Sequence, residues 1–479
     1  MKKTHIALAA LILLTLSPLA GNSKFVGKNP QVAEAIELLE IWIDEQMTHQ
    51  QLPSLTLGIV YDQELIWAKG YGFADVEKRT PATPQTLYRI ASITKTFTST
   101  AIMQLRDAGK LRLDDPVTKY LPWFEPVNPF DEAKEVTVWH LLTHTAGLPR
   151  EAAFPYWTDH KFPTLEQIKT ALPSQTLLYP PGTTYKYSNL GMSLLGAVVA
   201  AAAGEPWEQY VTKNILEPLG MTSSAVIPSE EHRSASATAY DRRMPDNSRQ
   251  VDYYPVTNGI APAASIASNI EDMAKYAMLQ FREGPAAGKQ ILKGSSLAEM
   301  HRCQFVYGSW SGGRGLGFGL TNRDGKTIVS HGGWVSSYRT HFMFNPKEKI
   351  AVIAMAGAAD CAPFDYSYEA YDLVGPAIVD AVTPETKPSK PEKVWQKYVG
   401  RYEDGSGWEY RVLIHDNRLV LYDFSYPPRD DATSNLTYLT PVGKHTFKMS
   451  DGEPVIFELG KDGKVGRVQR GCNYIYPLE

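Results

Sequence analysis

Apolar side chains recur along this chain in two rhythms, and the switches between them outline its elements. Val32, Ile36, Leu39 and Ile43 keep helical spacing over residues 32–47, with Pro30 placed to start the helix. Residues 56–60 and 65–68 read as two strands around a turn at Tyr61-Asp62-Gln63. From about 92 to 283 the pattern is helical, punctuated by Gly109, Gly147, Pro180-Pro181-Gly182, Gly204 and Gly220. From Leu316 it turns to β: 317–321, 326–330, 337–344 and 349–356 are strand-like, with Asp324-Gly325 and Asn345-Pro346-Lys347 as turns. This succession predicts an α+β fold, an antiparallel sheet flanked by helices with a helical insert.

Residues 383–393 (TPETKPSKPEK) have the composition of a linker. Beyond them, 409–414, 418–424, 437–439, 446–448, 455–459 and 465–469 read as short strands. Asp416-Asn417, Asp451-Gly452 and Asp462-Gly463 separate them, which predicts a small all-β C-terminal domain, barrel or sandwich. At the other end, Lys2 and Lys3 precede an apolar run from Ile6 to Leu16, then Ser17-Pro18 and mostly small residues through Ser23. That is the make-up of a secretory signal peptide, with Gly21-Asn22-Ser23 the best-fitting cleavage site. The run is short for a membrane span of about 20 residues, and no other segment reaches that length. The expected organisation is a signal peptide at 1–23, a main domain at 24–382, a linker at 383–393 and a β-rich domain at 394–479. The mature chain is expected to be exported, periplasmic or secreted, without a membrane span.

Composition narrows the picture. Of 479 residues 43% are hydrophobic and 21% charged, which excludes a collagen-like, coiled-coil or disordered chain. Lys and Arg total 48 against 52 Asp and Glu, so no basic excess points to nucleic acid as partner. Cys303, Cys361 and Cys472 are too few for a disulfide scaffold, though two of them are free to pair in an oxidising compartment.

Three short strings carry candidate chemistry. Ser92-Ile93-Thr94-Lys95 opens a helix marked by Ile93, Phe97, Ala101, Leu105 and Ala108, which sets Lys95 one turn from Ser92 on the same face. A serine hydroxyl is a poor nucleophile until a neighbouring base takes its proton, and a desolvated lysine is such a base. By itself the string is also an ordinary N-cap. Tyr187-Ser188-Asn189 lies where an extended stretch meets the apolar helix 190–203: a phenol can pass protons beside a cation, and an Asn amide can hold a carbonyl. His331-Gly332-Gly333 follows the strand 326–330, where bare backbone lets a substrate approach or pair. His140 and His144 have i, i+4 metal-ligand spacing but lack the Glu of H-E-x-x-H, so structural use is favoured. G-x-S-x-G is absent, and Gly315–Gly319 leads into a strand, not a helix.

Taken in order, S-x-x-K, Y-x-N and H-G-G resemble the serine β-lactamase and penicillin-binding protein family, in its class C β-lactamase, DD-peptidase and esterase branch. Leu113-Asp114-Asp115-Pro116-Val117, the stretch 141–148 (LLTHTAGL) and residues 179–189 look similar too, and the resemblance covers roughly 30 to 380. The tail, with Tyr398-Val399-Gly400-Arg401-Tyr402, looks like the lipocalin-like domain that follows the catalytic domain in some members. The resemblance implies Ser92 as nucleophile, Lys95 as base, Tyr187 as proton shuttle and Asn189 as a substrate amide contact. It further implies an oxyanion hole from the backbone N–H groups of Ser92 and Trp334, with His331, Gly332 and Gly333 along the substrate. Gly332 departs from the family's Thr or Ser, whose hydroxyl helps bind a substrate carboxylate; Arg339 on the next strand is a candidate substitute cation. The expected activity is hydrolysis through an acyl-enzyme, with no metal or organic cofactor. Short-chain esters rank first as substrates, D-amino-acid peptides second and β-lactams third. The alternatives are a penicillin-binding receptor acylated without turnover, and a small-ligand binder with a vestigial hydrolase domain.

Overall fold

The computed structural model describes residues 23–130, 134–285, 288–308, 311–383, 393–415, 418–423 and 436–478. The expected signal peptide (except Ser23), positions 384–392 of the expected linker and the turn at Asp416-Asn417 lie outside these residues. Two compact units emerge, one ending at Val382 and the other beginning at Thr383.

In the first unit, helix α1 (Pro30–Gln50) begins where Asn29 accepts from the Gln31 and Val32 amides, and its Val32, Leu39 and Ile43 are buried. The main sheet contains β1 (Ser54–Tyr61), β2 (Glu64–Asp75), β3 (Thr80–Pro81), β4 (Phe305–Val306), β5 (Gly312–Arg314), β6 (Gly319–Arg323), β7 (Lys326–Val335), β8 (Tyr338–Asn345) and β9 (Ile350–Ala356). Their order is β3-β2-β1-β9-β8-β7-β6-β5-β4, and every neighbouring pair is antiparallel. The central strands β1 and β9 are buried almost end to end, because both sheet faces are covered. On one face Leu57, Ile59, Val352 and Ala354 meet Leu39 and Ile43 of α1. On the other, Ile353, Met355 and Phe342 meet the helical insert. Its longer helices are α2 (Thr94–Asp107), α3 (Asn189–Ala203) and α4 (Ile270–Gln280).

The predicted α+β architecture is the observed one, with three local corrections. Strand β7 does not stop at Ser330 but continues through His331-Gly332-Gly333 to Val335, because β8 pairs with it as far as Tyr338↔Val335. Ser92 sits in a 3₁₀ turn, Ala91–Ile93, and the α-helix proper starts at Thr94. Helix α5 (Pro363–Val382), for which the sequence analysis gives no element, packs Tyr366, Ala370, Val374 and Ile378 beside α1.

The second unit is all β: β10 (Gly400–Glu403), β11 (Glu409–His415), β12 (Arg418–Asp423), β13 (Leu436–Tyr438), β14 (Thr440–Gly443), β15 (Thr446–Lys448), β16 (Pro454–Leu459), β17 (Val465–Arg470) and β18 (Asn473–Pro477). Their order, β13-β12-β11-β10-β18-β17-β16-β15-β14, makes a nearly closed barrel-like sheet, whose end strands are separated by Leu439 alone. Trp395, Tyr398, Phe447 and Phe457 fill its core, with Tyr398 stacked on Phe457 at 4.2 Å. All three cysteines are free thiols. Among the described residues no single helix is long and apolar enough to cross a membrane.

Candidate active site

The backbone ahead of Ser92 is firmly held. Tyr88-Arg89 pairs with Ala267-Ser268. The fully buried Arg89 guanidinium donates to Pro255 O and, at 3.3 Å, to Ala264 O. Ala91 has φ +50°, a left-handed conformation that costs an alanine about 1–2 kcal/mol and turns the chain sharply into Ser92. From α2, Lys95 folds back so that Nζ lies 2.9 Å from Ser92 Oγ and donates to Ala263 O at 2.8 Å. Lys95 is entirely buried. Burial drives its pKa well below the usual lysine range; Glu151 opposes that shift, and Arg150 and Arg314 add to it.

Across the cleft, the Tyr187 hydroxyl donates to the same Ser92 Oγ at 2.9 Å. Lys95 Nζ stands 4.9 Å from the centre of the Tyr187 ring, and the Arg150 guanidinium is as close on another side. His144 lies against the ring at 4.6 Å and accepts from the Ser188 amide at 3.2 Å. Burial raises the Tyr187 pKa to about 12, while the bond to Ser92 and the charges of Arg314 and Arg150 pull it back. Gly147, at φ +75°, lets the loop bearing His144 close on Tyr179, whose carbonyl oxygen would lie 2.0 Å from an added Cβ.

Asn189 already has a protein partner. It is the first residue of α3, after the Ser188 cap, and its amide donates to both oxygens of Glu151, at 2.8 and 3.0 Å. Glu151 also receives Arg150 Nε at 3.1 Å and the Tyr156 hydroxyl. The expected substrate amide contact is therefore already engaged by a neighbouring carboxylate.

The other wall is the edge of β7. β6 pairs with it only as far as Ser330, so His331–Val335 have no strand neighbour on that side among the described residues. An added Cβ at Gly333 would come 2.3 Å from Ile90 O and 2.1 Å from Thr340 Oγ1. Only glycine there lets the strand press against the turn that carries Ser92. At Gly332 the nearest atoms would be 3.8 Å away, so that position is open. His331 is buried; burial, then Lys95 and Arg314, push its pKa well below 6.5. Its Nδ1 meets Gly332 O at 2.7 Å, while Nε2 is buried without a partner. Trp334 is 69% exposed, with the Arg339 guanidinium 4.3 Å from its ring centre. Arg339 is tied down by that stack and by bonds to Ser336 O and Tyr338 O.

Ser92, Lys95, Tyr187 and the β7 edge thus meet in one place. The sequence reading missed Arg150, Tyr185 and Arg314, which lie near Tyr187, and Glu151, which holds Arg150 and Asn189. Arg314 carries one signal in hindsight, as the only charged residue in the glycine-rich stretch 311–319. His140 bonds Thr137 to cap a short helix, and His144 walls Tyr187, so both serve structure. Among the described residues no group of three or more His, Cys, Asp or Glu is placed to hold a metal ion.

Comparison with known proteins follows the same lines. The family model described as Beta-lactamase matches residues 39–367. "Protein flp" of Staphylococcus aureus is 27% identical over 321 residues, 66% of this chain and 61% of that protein, so the match spans less than two thirds of the relative. "Beta-lactamase-like protein 2" of Dictyostelium discoideum is 30% identical over 418 residues, 81% of this chain and 74% of that one. Among solved structures, the octameric penicillin-binding protein homologue from Pyrococcus abyssi superposes with TM-score 0.63 at 26% identity, covering 92% of this chain and 99% of that one.

Proposed function

This chain belongs to the beta-lactamase family, and from that premise we propose that it is an exported serine hydrolase working through an acyl-enzyme on Ser92. The observation that carries the reading is the shared contact: Lys95 Nζ and the Tyr187 hydroxyl both lie 2.9 Å from Ser92 Oγ. Lys95, whose pKa burial lowers, accepts the serine proton as Oγ attacks the substrate carbonyl. The backbone N–H groups of Ser92 and Trp334 stabilise the resulting oxyanion. Tyr187, hydrogen-bonded to Oγ, passes a proton to the leaving group, and water then releases the acid by the reverse route.

Short uncharged esters are the preferred substrates, ahead of D-amino-acid peptides and β-lactams. Two features support that order. Gly332 offers no hydroxyl to a carboxylate, and the Asn189 amide is held by Glu151 rather than free for a substrate amide. The lysine-flanked apolar run before Ser23 supports export. The test is fluorophosphonate labelling with peptide mapping, alongside p-nitrophenyl acetate hydrolysis. Ser92→Ala is expected to abolish label and turnover while leaving the melting curve unchanged. A variant that still takes the label would overturn the mechanism.

A further inference from the structure

Lys95 is not the only basic side chain at the Tyr187 ring. The Arg150 guanidinium lies 4.9 Å and that of Arg314 6.0 Å from the ring centre, against 4.9 Å for Lys95 Nζ. We propose that Arg150 and Arg314 are positioning residues whose fixed charges keep Lys95 unprotonated, so that it can accept the proton of Ser92. The inference rests on the acyl-enzyme reading above and deepens it.

Arg314 reaches the cleft from β5. It stacks over Tyr185 at 4.6 Å, donates to the Tyr185 hydroxyl, and keeps a buried Nε without a partner. Among the described residues no carboxylate forms an ion pair with it. Arg150 is paired with Glu151, but that carboxylate is shared with the Asn189 amide and the Tyr156 hydroxyl. The remaining titratable groups facing Lys95 and Tyr187 add no negative charge. His144 and His331 are held neutral, mainly by burial, and burial raises the neighbouring Tyr307 phenol. Two guanidiniums thus face one carboxylate before Lys95 is counted. A protonated Lys95, itself fully buried, would add like charge that water screens less toward the half-buried Arg314 than toward Arg150, whose side chain is largely exposed. Burial alone would disfavour the ammonium. The guanidiniums push in the same direction against Glu151, the one group that favours it.

A purely structural role, propping Tyr185 and Tyr187, predicts slower enzymes with an unmoved pH profile. The experiment is the rate of Ser92 phosphonylation by a fluorophosphonate, in which Oγ bonds phosphorus and fluoride leaves, measured with the full chain along the acidic limb of the profile. Removing a like charge lets Lys95 hold its proton to higher pH, so Arg314→Gln is expected to move the limb upward by about one pH unit. Arg150→Gln is expected to move it the same way and the double variant further. Arg314→Lys, which keeps the charge but loses the planar stack, is expected to leave the limb near its original position. Because the Arg150 side chain is 60% exposed, Arg150→Gln decides the matter if the Arg314 variants do not fold. Variants that label with the limb unmoved, or an Arg314→Lys limb displaced as far as that of Arg314→Gln, would overturn the electrostatic assignment alone. An unmodified chain that takes no label at any pH overturns the acyl-enzyme reading, and this inference with it.

Discussion

Lys95 and Tyr187 both reach Ser92 Oγ at the same 2.9 Å, and Lys95 Nζ stands 4.9 Å from the Tyr187 ring centre. Ser92 Oγ therefore touches two proton-handling groups that sense each other's charge. Burial acts on both in the sense such a transfer needs, lowering the lysine pKa and raising that of the phenol to about 12. The pair is set to accept at nitrogen and to donate from oxygen.

The first prediction treats these two groups as one unit. Tyr187→Phe is expected to lower kcat by roughly 10²–10⁴-fold, the span of a lost general acid or base. Lys95→Ala is expected to be at least as severe. The double variant should fall little below the worse single one, because groups acting together are not additive. Steady-state kinetics on an uncharged ester decides: losses that simply multiply would show that the residues act separately.

A second prediction concerns stability in acid. His301 is buried between Phe318 and Phe344, with Nε2 3.0 Å from Gln280 Oε1, and burial lowers its pKa from 6.5 to about 3. A depressed histidine pKa means that the unfolded chain takes up the proton first. The stability that His301 contributes is thus complete above about pH 6.5 and is lost as the pH falls toward about 3. At pH 5 the loss is about 2 kcal/mol, from about 1.4 kcal/mol per pH unit below the unfolded value. His301→Gln should make denaturant unfolding less dependent on pH between 6.5 and 5 than in the unmodified chain. Equal slopes for the two proteins would show that His301 does not couple folding to protons.

The third prediction is that the first unit stands alone. Its two core clusters draw on residues up to Ile378, while the second unit packs its own aromatic core from Trp395 onward. A chain ending at Val382 should melt cooperatively and keep Ser92 reactive toward a fluorophosphonate. An insoluble or unreactive product would mean that the units need each other to fold.

What the sequence reveals here depends on how local the signal is. Helix α1 is legible because Pro30, Val32, Leu39 and Ile43 act within one element, and so are the β1–β2 hairpin and most strands of the second unit. Ser92, Lys95 and Tyr187 are legible because each lies in a short string at an element boundary. Arg314 escapes because its role exists only after folding brings β5 beside Tyr187, and Arg150 and Glu151 because theirs exist only once Tyr187 and Asn189 come to lie beside them. Asn189 shows the same limit: its string marks a donor, but only the fold shows that Glu151 already occupies it. His331-Gly332-Gly333 reads as following the strand, since two adjacent glycines look like a stop. The reason for the second of them, the close approach of Ile90 and Thr340, is a tertiary fact.

The last prediction separates those two glycines. Gly333→Ala forces a methyl group to within 2.3 Å of Ile90 O and 2.1 Å of Thr340 Oγ1, so the turn bearing Ser92 must move. Activity should collapse toward every substrate alike, since the oxyanion donors and nucleophile shift together. Gly332 is different. It is exposed, lacks a left-handed φ, and an added Cβ would meet only Thr340 O at 3.8 Å and the His341 ring at 3.9 Å. Gly332→Thr should therefore fold normally and add one hydroxyl to the cleft edge. A hydrogen bond to a charged group contributes about 1.5–3 kcal/mol, or roughly one to two orders of magnitude at about 1.4 kcal/mol per tenfold. The ratio of kcat/KM for a penicillin or a D-Ala-D-Ala peptide to that for an uncharged acetate ester should rise by that factor. Arg339 is tied to Trp334, Ser336 and Tyr338, which leaves the new hydroxyl to make the difference. Equal changes for both substrate classes, or an unmodified enzyme that already prefers the carboxylates, would reverse the ranking of esters first.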